Sequence, residues 1–310
     1  MCVAMQVHPN SSFLLIMCIV LMACLKWITL CCLAYPGQKD VESAVHIKIT
    51  PGRCQEAMHF QEQVGGPLML ASFPGSGNTW ARILIQEATR VYTGSIYHDE
   101  SLVDYFKGER VRYSSVSVVK THFPCPQCWG NVGRLSSGFK KNNIGAIFIL
   151  RNPFDAFVAD FKRRNAQNHT GNVDPSIFLT QEWKEFVIKR TDIWTQHTKY
   201  YLHSKVQGRR WLDEKGKPAF LIYYENLVHD FENEIKLMMH EIHLRPNEMS
   251  TEETTYCAIL QHRNRTMGEK FHRKKPEKNI QAFSQIQKRA ACHIFEFEHI
   301  WQTAIWGKCY

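Results

Sequence analysis

Residues 68–85 read LMLASFPGSGNTWARILI: a short apolar run, a turn rich in glycine and small polar residues, and then a helical pattern. Gly75 and Gly77 let backbone N–H groups approach an anion closely, and the hydroxyls of Ser76 and Thr79 add donors. A helix that begins after this turn would direct the positive end of its dipole at the same point. The stretch therefore predicts a loop that binds phosphate or sulfate.

The loop differs from the common nucleotide-binding loop G-x-x-x-x-G-K-[ST]. No lysine precedes Thr79, and the two glycines are only two positions apart. An ordinary kinase or ATPase is therefore disfavoured. An ordinary strand-to-helix turn without a ligand remains an alternative at this point.

Two further apolar runs end in polar residues. Residues 116–124 read VSVVKTHFP and residues 144–155 read IGAIFILRNPFD. In an open parallel sheet, ligands bind at the carboxyl ends of the strands. We therefore expect the loop, Lys120, His122 and Arg151 to line one crevice.

Together these motifs resemble, in order, those of the sulfotransferases that use 3'-phosphoadenosine 5'-phosphosulfate (PAPS) as donor. The resemblance is to the WSC-domain-containing (WSCD) sulfotransferases, whose members are implicated in sulfating sialic acid, and to short relatives without WSC modules. It covers roughly residues 65–305. The segments that carry it are the 5'-phosphosulfate loop at 72–80, the catalytic segment at 120–124, the 3'-phosphate motif at 151–155, the Tyr-Glu segment at 223–227 and a basic loop at 271–275.

The resemblance implies an in-line sulfuryl transfer with His122 as the base and Lys120 as a cation that stabilises developing charge. A neutral imidazole has an ordinary pKa of about 6.5 and can accept a hydroxyl proton near neutral pH. No metal ion is expected. The donor-binding residues that the resemblance implies are Gly75, Ser76, Gly77, Asn78, Thr79, Trp80, Arg151, Tyr224, Arg273, Lys274 and Lys275.

Three positions depart from the wider family. Gly75 stands where most cytosolic members have a lysine, Ala159 stands where they have a serine, and the basic loop at 273–275 lacks the family's glycines. Compensation could come from Lys120 or from Arg82. These departures also keep open a non-catalytic protein that retains the fold without binding donor. A nucleotide kinase with an unusual loop is a third alternative.

The fold class that the pattern predicts is α/β: a three-layer sandwich with a central parallel sheet, of the phosphate-loop sulfotransferase type. Apolar residues make up 44% of the 310 residues, which is typical of a globular chain. The expected central strands are residues 68–73, 117–120, 146–150 and 219–223. The expected helices include residues 155–164, 181–201 and 233–243.

The net charge of +9 raises the question of nucleic-acid binding. The basic clusters lack the interleaved aromatic residues of a recognised RNA or DNA module. Positive charge would equally attract a doubly phosphorylated donor and an acidic glycan. Nucleic acid is therefore not expected as a partner, whereas a sialylated or other glycan acceptor is.

The amino-terminal part predicts export. We expect a tail at 1–12, a transmembrane signal-anchor at 13–35, a stem at 36–64 and the sulfotransferase domain at 65–310. A cleaved signal peptide is the alternative. With an anchor, the protein would be single-pass type II, with its catalytic domain in the Golgi lumen. The six cysteines beyond the leader permit three disulfides, and Asn168 and Asn264 begin glycosylation sequons. The oligomeric state is not predicted.

Overall fold

The computed structural model describes residues 53–62, 65–124, 142–166, 173–243 and 251–264. The predicted anchor at 13–35, the sequon at Asn168 and the basic residues Arg273, Lys274 and Lys275 lie outside these ranges. The strands are β1 Leu68–Ser72, β2 Gly94–Ser95, β3 Val119–Thr121, β4 Gly145–Leu150, β5 Ser204–Gln207, β6 Arg210–Leu212 and β7 Pro218–Tyr223. The α-helices are α1 Asn78–Thr89, α2 Pro153–Ala166, α3 Gln181–Tyr201, α4 Tyr224–His229, α5 Phe231–His243 and α6 Thr251–Asn264. Short 3-10 helices cover Arg53–Gln55, Glu100–Leu102 and Pro175–Leu179.

The strands form one sheet in the order β2-β3-β1-β4-β7-β6-β5. The first five of these run parallel to one another, which agrees with the predicted central parallel sheet. Strands β6 and β5 extend the sheet in antiparallel fashion, so the sheet is mixed. The sequence analysis identified β1, β3, β4 and β7, and did not identify the three short strands β2, β5 and β6.

Helices cover both faces of the sheet, which confirms the three-layer α/β sandwich. On one face, α2 and α3 pack on β1, β4 and β7 through an aromatic core that includes Phe148, Phe157 and Trp194. On the other face, α1, α5 and α6 enclose a core that includes Leu70, Ile149 and Met238. Strands β1 and β4 are buried along their whole length because helices cover both of their faces.

Helix α3 begins and ends where the sequence predicts. The hydroxyl of Thr180 accepts a hydrogen bond from the Trp183 amide, 3.2 Å away, and so caps its amino terminus. Trp183 and Trp194 lie on the face that packs against the core. Helix α2 begins at Pro153, two residues before the predicted start, because proline fits the first helical position, where no amide donor is needed.

A disulfide between Cys54 and Cys257 joins the segment before the sheet to helix α6, with a Cα–Cα distance of 5.3 Å. The same early segment pairs with the chain after α1, through a bridge between His59 and Val91. The described structure therefore begins before the predicted domain boundary at residue 65. Among the helices of the described residues, none combines the length and the apolar composition that crossing a bilayer requires.

Candidate functional site

Polar residues converge where four neighbouring parallel strands end. The loop 73–77 follows β1, His122 follows β3, Arg151 follows β4 and Tyr224 follows β7. These strands are adjacent in the order β3-β1-β4-β7, so their carboxyl ends form one edge of the sheet. The chain after β1 continues into α1 on one face of the sheet, and the chain after the neighbouring β4 continues into α2 on the other face. The carboxyl ends of β1 and β4 are therefore a switch point of the kind where ligands bind in open α/β sheets.

The loop after β1 depends on two glycines with positive φ. Gly75 and Gly77 both have φ of +84°, in the region that side chains disfavour. A Cβ atom on Gly75 would lie 2.2 Å from the carbonyl oxygen of Ala156 on helix α2. A Cβ atom on Gly77 would lie 2.5 Å from the ring of Tyr224. The loop thus needs glycine at both positions, and the lysine of the cytosolic members has no room at position 75 in this conformation.

The loop ends in the amino terminus of α1. Gly77 occupies the cap position, where it provides no side-chain hydrogen bond to the first turn of α1. The buried hydroxyl of Ser76 has no hydrogen-bond partner among the described residues. The side-chain amide of Asn78 donates to the Leu70 carbonyl at 3.0 Å and so fixes the helix start to β1. Thr79, in the first turn, is half-buried.

His122 is buried and held in one tautomer. Its Nδ1 lies 2.6 Å from the backbone carbonyl of Ser72 at the end of β1. Because a carbonyl oxygen only accepts, Nδ1 carries the proton, and Nε2 is left with a lone pair in the neutral ring. The backbone N–H of His122 donates to the Tyr97 hydroxyl at 2.9 Å. Burial first, and the charge of Lys120 second, hold the pKa of His122 well below its usual value, so the ring is neutral at pH 7.

Lys120 is also buried, with 4% of its surface exposed. Burial first, and the charge of Arg82 second, lower the pKa of its ammonium from 10.5 to about 8, while the charge of Glu109 opposes this shift. A buried cation next to a neutral imidazole suits a reaction in which negative charge develops on the substrate. Its role in catalysis, like that of His122, stays a prediction.

Arg151 and Tyr224 are stacked. The guanidinium carbon of Arg151 lies 4.1 Å from the centre of the Tyr224 ring, and Nη1 donates to the Gly75 carbonyl at 2.6 Å. The buried Nε of Arg151 has no partner among the described residues. Arg151 therefore connects the loop after β1 to the end of β7, with a donor still available.

Trp80 lies in an aromatic group on the α6 side of the sheet. Ring centres of Tyr224, Phe231 and His262 lie 6.0, 6.3 and 6.1 Å from it. The indole is 7% exposed. The structure thus shows Trp80 as a core residue beside Tyr224, and its expected contact with adenine stays a prediction.

Arg82, the other residue suggested to compensate for the missing lysine, already has partners in the fold. It is fully buried, donates to a carboxylate oxygen of Glu109 at 2.7 Å and bonds Thr93 through its Nε at 3.0 Å. Its guanidinium lies 3.8 Å from the Phe106 ring centre. These contacts already engage the Arg82 guanidinium, which favours Lys120 as the residue that compensates for the missing lysine.

Three groups of the site were not identified from the sequence. Tyr97 supports the backbone of His122, and Glu225 supports the β4–α2 turn by accepting from the Asn152 amide at 2.8 Å. Asp160 on α2 pairs with three arginines from α2 and α3, which are Arg163, Arg164 and Arg190. The charge of Arg163 contributes to the low pKa of both Lys120 and His122. Of these residues, only Glu225 could have been found from the sequence, because it lies within the motif at 223–227.

The site fits an anionic nucleotide. The glycine loop exposes backbone amides, and the orphaned Ser76 hydroxyl and Arg151 Nε are buried donors of the kind that phosphate oxygens satisfy. Among the residues that the structure describes, no group of three or more His, Cys, Asp or Glu side chains could hold a metal ion.

The chain is similar to the WSCD family members AAEL009094 of Aedes aegypti (31% identity over 195 residues), GA21586 of Drosophila pseudoobscura pseudoobscura (34% over 196) and CG9164 of Drosophila melanogaster (33% over 195). Each match covers 62% of this chain and 53%, 54% and 53% of the respective relative. The chain thus spans about half the length of these relatives.

A crystal structure of mouse sulfotransferase SULT7A1 complexed with PAP is similar at a TM-score of 0.44 and 17% identity, and the match covers 81% of this chain and 88% of that one. The model of the sulfotransferase domain matches residues 66–289. Because that match spans well over half of the 310 residues, the chain belongs to the sulfotransferase domain family.

Proposed function

We propose that this protein transfers a sulfuryl group from PAPS to a hydroxyl of a glycan or glycolipid, with sialic acid as the first acceptor to test. The family supplies the reaction class and the donor. The observation that carries the proposal for this chain is the geometry of His122. Its Nδ1 donates to the strand that leads into the phosphate loop, so its basic Nε2 is fixed relative to that loop.

In the proposed reaction, an acceptor hydroxyl oxygen attacks the sulfur of PAPS. A new S–O bond forms, the bond between sulfur and the bridging phosphate oxygen breaks, and adenosine 3',5'-bisphosphate (PAP) leaves. The acceptor proton passes to Nε2 of His122. Lys120 and the loop amides stabilise the charge that grows on the sulfuryl oxygens and on the leaving phosphate.

In this proposal the donor binds the Ser76 hydroxyl and the Arg151 Nε, two buried donors that have no partner among the described residues. The amides after Gly75 and the hydroxyl of Ser76 bind the 5'-phosphosulfate, and Arg151 binds the 3'-phosphate. Arginine suits phosphate because its planar donors match two oxygens at once. Glycine at position 75 supports this arrangement, since it brings the loop against α2 and leaves the charge role to Lys120.

The acceptor class rests on resemblance to the WSCD relatives and on the positive charge around the site. Arg163, Arg164 and Arg190 surround one carboxylate, that of Asp160. A positive field of this kind would attract an acidic sugar as well as the donor. An acidic glycan is therefore the acceptor that we propose.

We also propose that the catalytic domain works in an exported compartment, as a type II Golgi membrane protein. The disulfide between Cys54 and Cys257 supports an oxidising environment, because structural disulfides are rare in the cytosol. Protease protection of tagged protein in intact Golgi vesicles would test this topology. Cleavage of a carboxyl-terminal tag without detergent would contradict it.

The function is tested first through the donor. Calorimetry with PAP on the full chain should give micromolar binding that Ser76→Ala and Arg151→Ala each weaken at least tenfold. Arg112→Ala, at an exposed arginine, is the matched control. Transfer of labelled sulfate from PAPS to sialyllactose should then occur in the wild type and fail in His122→Ala. A folded chain that does not bind PAP would favour the non-catalytic alternative, and binding of ATP in preference to PAP would favour a kinase.

A further inference from the structure

The side chain of Glu225 contacts the backbone next to Arg151, the residue that we propose to bind the 3'-phosphate. It lies in the first turn of α4, directly after Tyr224, and one carboxylate oxygen accepts the Asn152 amide at 2.8 Å. Asn152 follows Arg151, so this bond fixes the chain on one side of the arginine. The contact joins the turn after β7 to the turn after β4.

The neighbouring residue acts on the side chain of the same arginine. The Tyr224 ring lies under the Arg151 guanidinium at 4.1 Å and also fills the space beside Gly77. Arg151 is therefore held at two points. Tyr224 packs on its guanidinium, and Glu225 binds the backbone amide of the next residue, Asn152. A guanidinium held in this way loses little freedom when it binds phosphate.

The charges around Glu225 agree with a supporting role. Burial raises the pKa of its carboxyl group, and the amides of Asn152 and Glu225 together with the charge of Arg151 act in the opposite direction. The charge of Asp155 on α2 also raises the pKa. The Glu225 carboxylate thus lies among the backbone donors and the cation that it organises.

The turn that carries Glu225 is itself anchored from helix α5. The buried carboxylate of Glu234 accepts from the Tyr223 amide at 2.7 Å and from the Asn226 side-chain amide at 3.3 Å. Arg209 forms an ion pair with the same carboxylate. The support for Arg151 is therefore continuous from α5 through the turn at 223–226.

We propose that Glu225 is a positioning residue that makes the donor site selective for nucleotides with a 3'-phosphate. It does not touch the donor. It acts by holding the Asn152 amide and, through it, the direction of Arg151. The inference rests on the proposed function, because it needs Arg151 to bind the 3'-phosphate of PAPS.

The test compares two nucleotides that differ by the 3'-phosphate, PAP and adenosine 5'-phosphate, by calorimetry on the full chain. The quantity measured is the ratio of their dissociation constants. We expect Glu225→Ala to weaken PAP about tenfold and adenosine 5'-phosphate less than twofold. Glu225→Gln keeps an oxygen that accepts the Asn152 amide, so it should restore PAP binding to within about threefold of wild type. Glu214→Ala, at an exposed glutamate, should change neither constant.

Two results would overturn the inference while leaving the function intact. One is unchanged PAP binding in Glu225→Ala when Arg151→Ala loses it. The other is an equal loss for both nucleotides, with no rescue by Glu225→Gln, which would show a general structural role. Thermal unfolding of each variant separates loss of fold from loss of selectivity. Failure of the wild type to bind PAP would instead refute the proposed function, and this inference with it.

Discussion

Lys120 should take up a proton when PAP binds at alkaline pH. In the free protein, burial lowers the pKa of its ammonium to about 8, so at pH 8.5 about three quarters of the molecules carry the neutral amine. Two phosphate groups nearby would favour the charged form and raise that pKa. Binding at pH 8.5 should therefore be coupled to uptake of about 0.7 of a proton, and PAP affinity should fall by up to tenfold per pH unit above pH 8.

Calorimetry in two buffers that differ in ionisation enthalpy measures this uptake directly. Other groups at the site should not contribute, because His122 is already neutral at this pH and burial raises the pKa of Tyr97 above its usual value. Lys120→Met should abolish the uptake and weaken PAP at pH 7, whereas Lys184→Met, at an exposed lysine, should behave as wild type. Equal proton uptake in wild type and Lys120→Met would refute the reasoning.

The same shift has a consequence for stability. Between pH 8 and 10.5 the unfolded chain binds the Lys120 proton and the folded chain does not, so the stability of the wild type should rise with pH through this window. A fall from 10.5 to about 8 corresponds to about 3 kcal/mol. Lys120→Met should lose this rise and be more stable than wild type at pH 7 in urea unfolding. If Lys120→Met were less stable than wild type, other groups in the fold would have to compensate for the buried charge of Lys120, and the prediction would be wrong.

Three further predictions concern the loop, the base and the disulfide. Gly75→Lys should lower the unfolding free energy by about 2 kcal/mol or more, since its Cβ would meet the Ala156 carbonyl at positive φ; urea unfolding at wild-type stability would contradict this. His122→Gln should lower sulfate transfer at least about 100-fold while PAP affinity stays within twofold, and an active Gln variant would assign the base elsewhere. Cys54→Ser should cost about 3 to 5 kcal/mol because the Cys54–Cys257 bond closes a loop of 203 residues, and an unchanged melting temperature would argue against that pairing.

The local parts of the fold were predictable from the sequence. The strand-loop-helix at 68–85 could be recognised because glycine spacing and the change of apolar period are properties of consecutive residues. Helix α3 matched its prediction because Thr180 caps it and its apolar positions repeat along one face. The strands β2, β5 and β6 were not predicted, since they have only two to four residues, and β5 is exposed along its whole length, which leaves no apolar signal.

The candidate site was predictable as a set of residues and not as an arrangement. The sequence by itself determined that the phosphate loop, His122 and Arg151 each follow a strand and that Lys120 lies at the end of one. Only the tertiary structure decided that Nδ1 of His122 is the protonated nitrogen, that Arg82 is engaged by Glu109 and that Glu225 holds the turn beside Arg151. The physical reason is distance along the chain: these contacts join residues 27 to 76 positions apart, and only the folded chain brings such distant residues together.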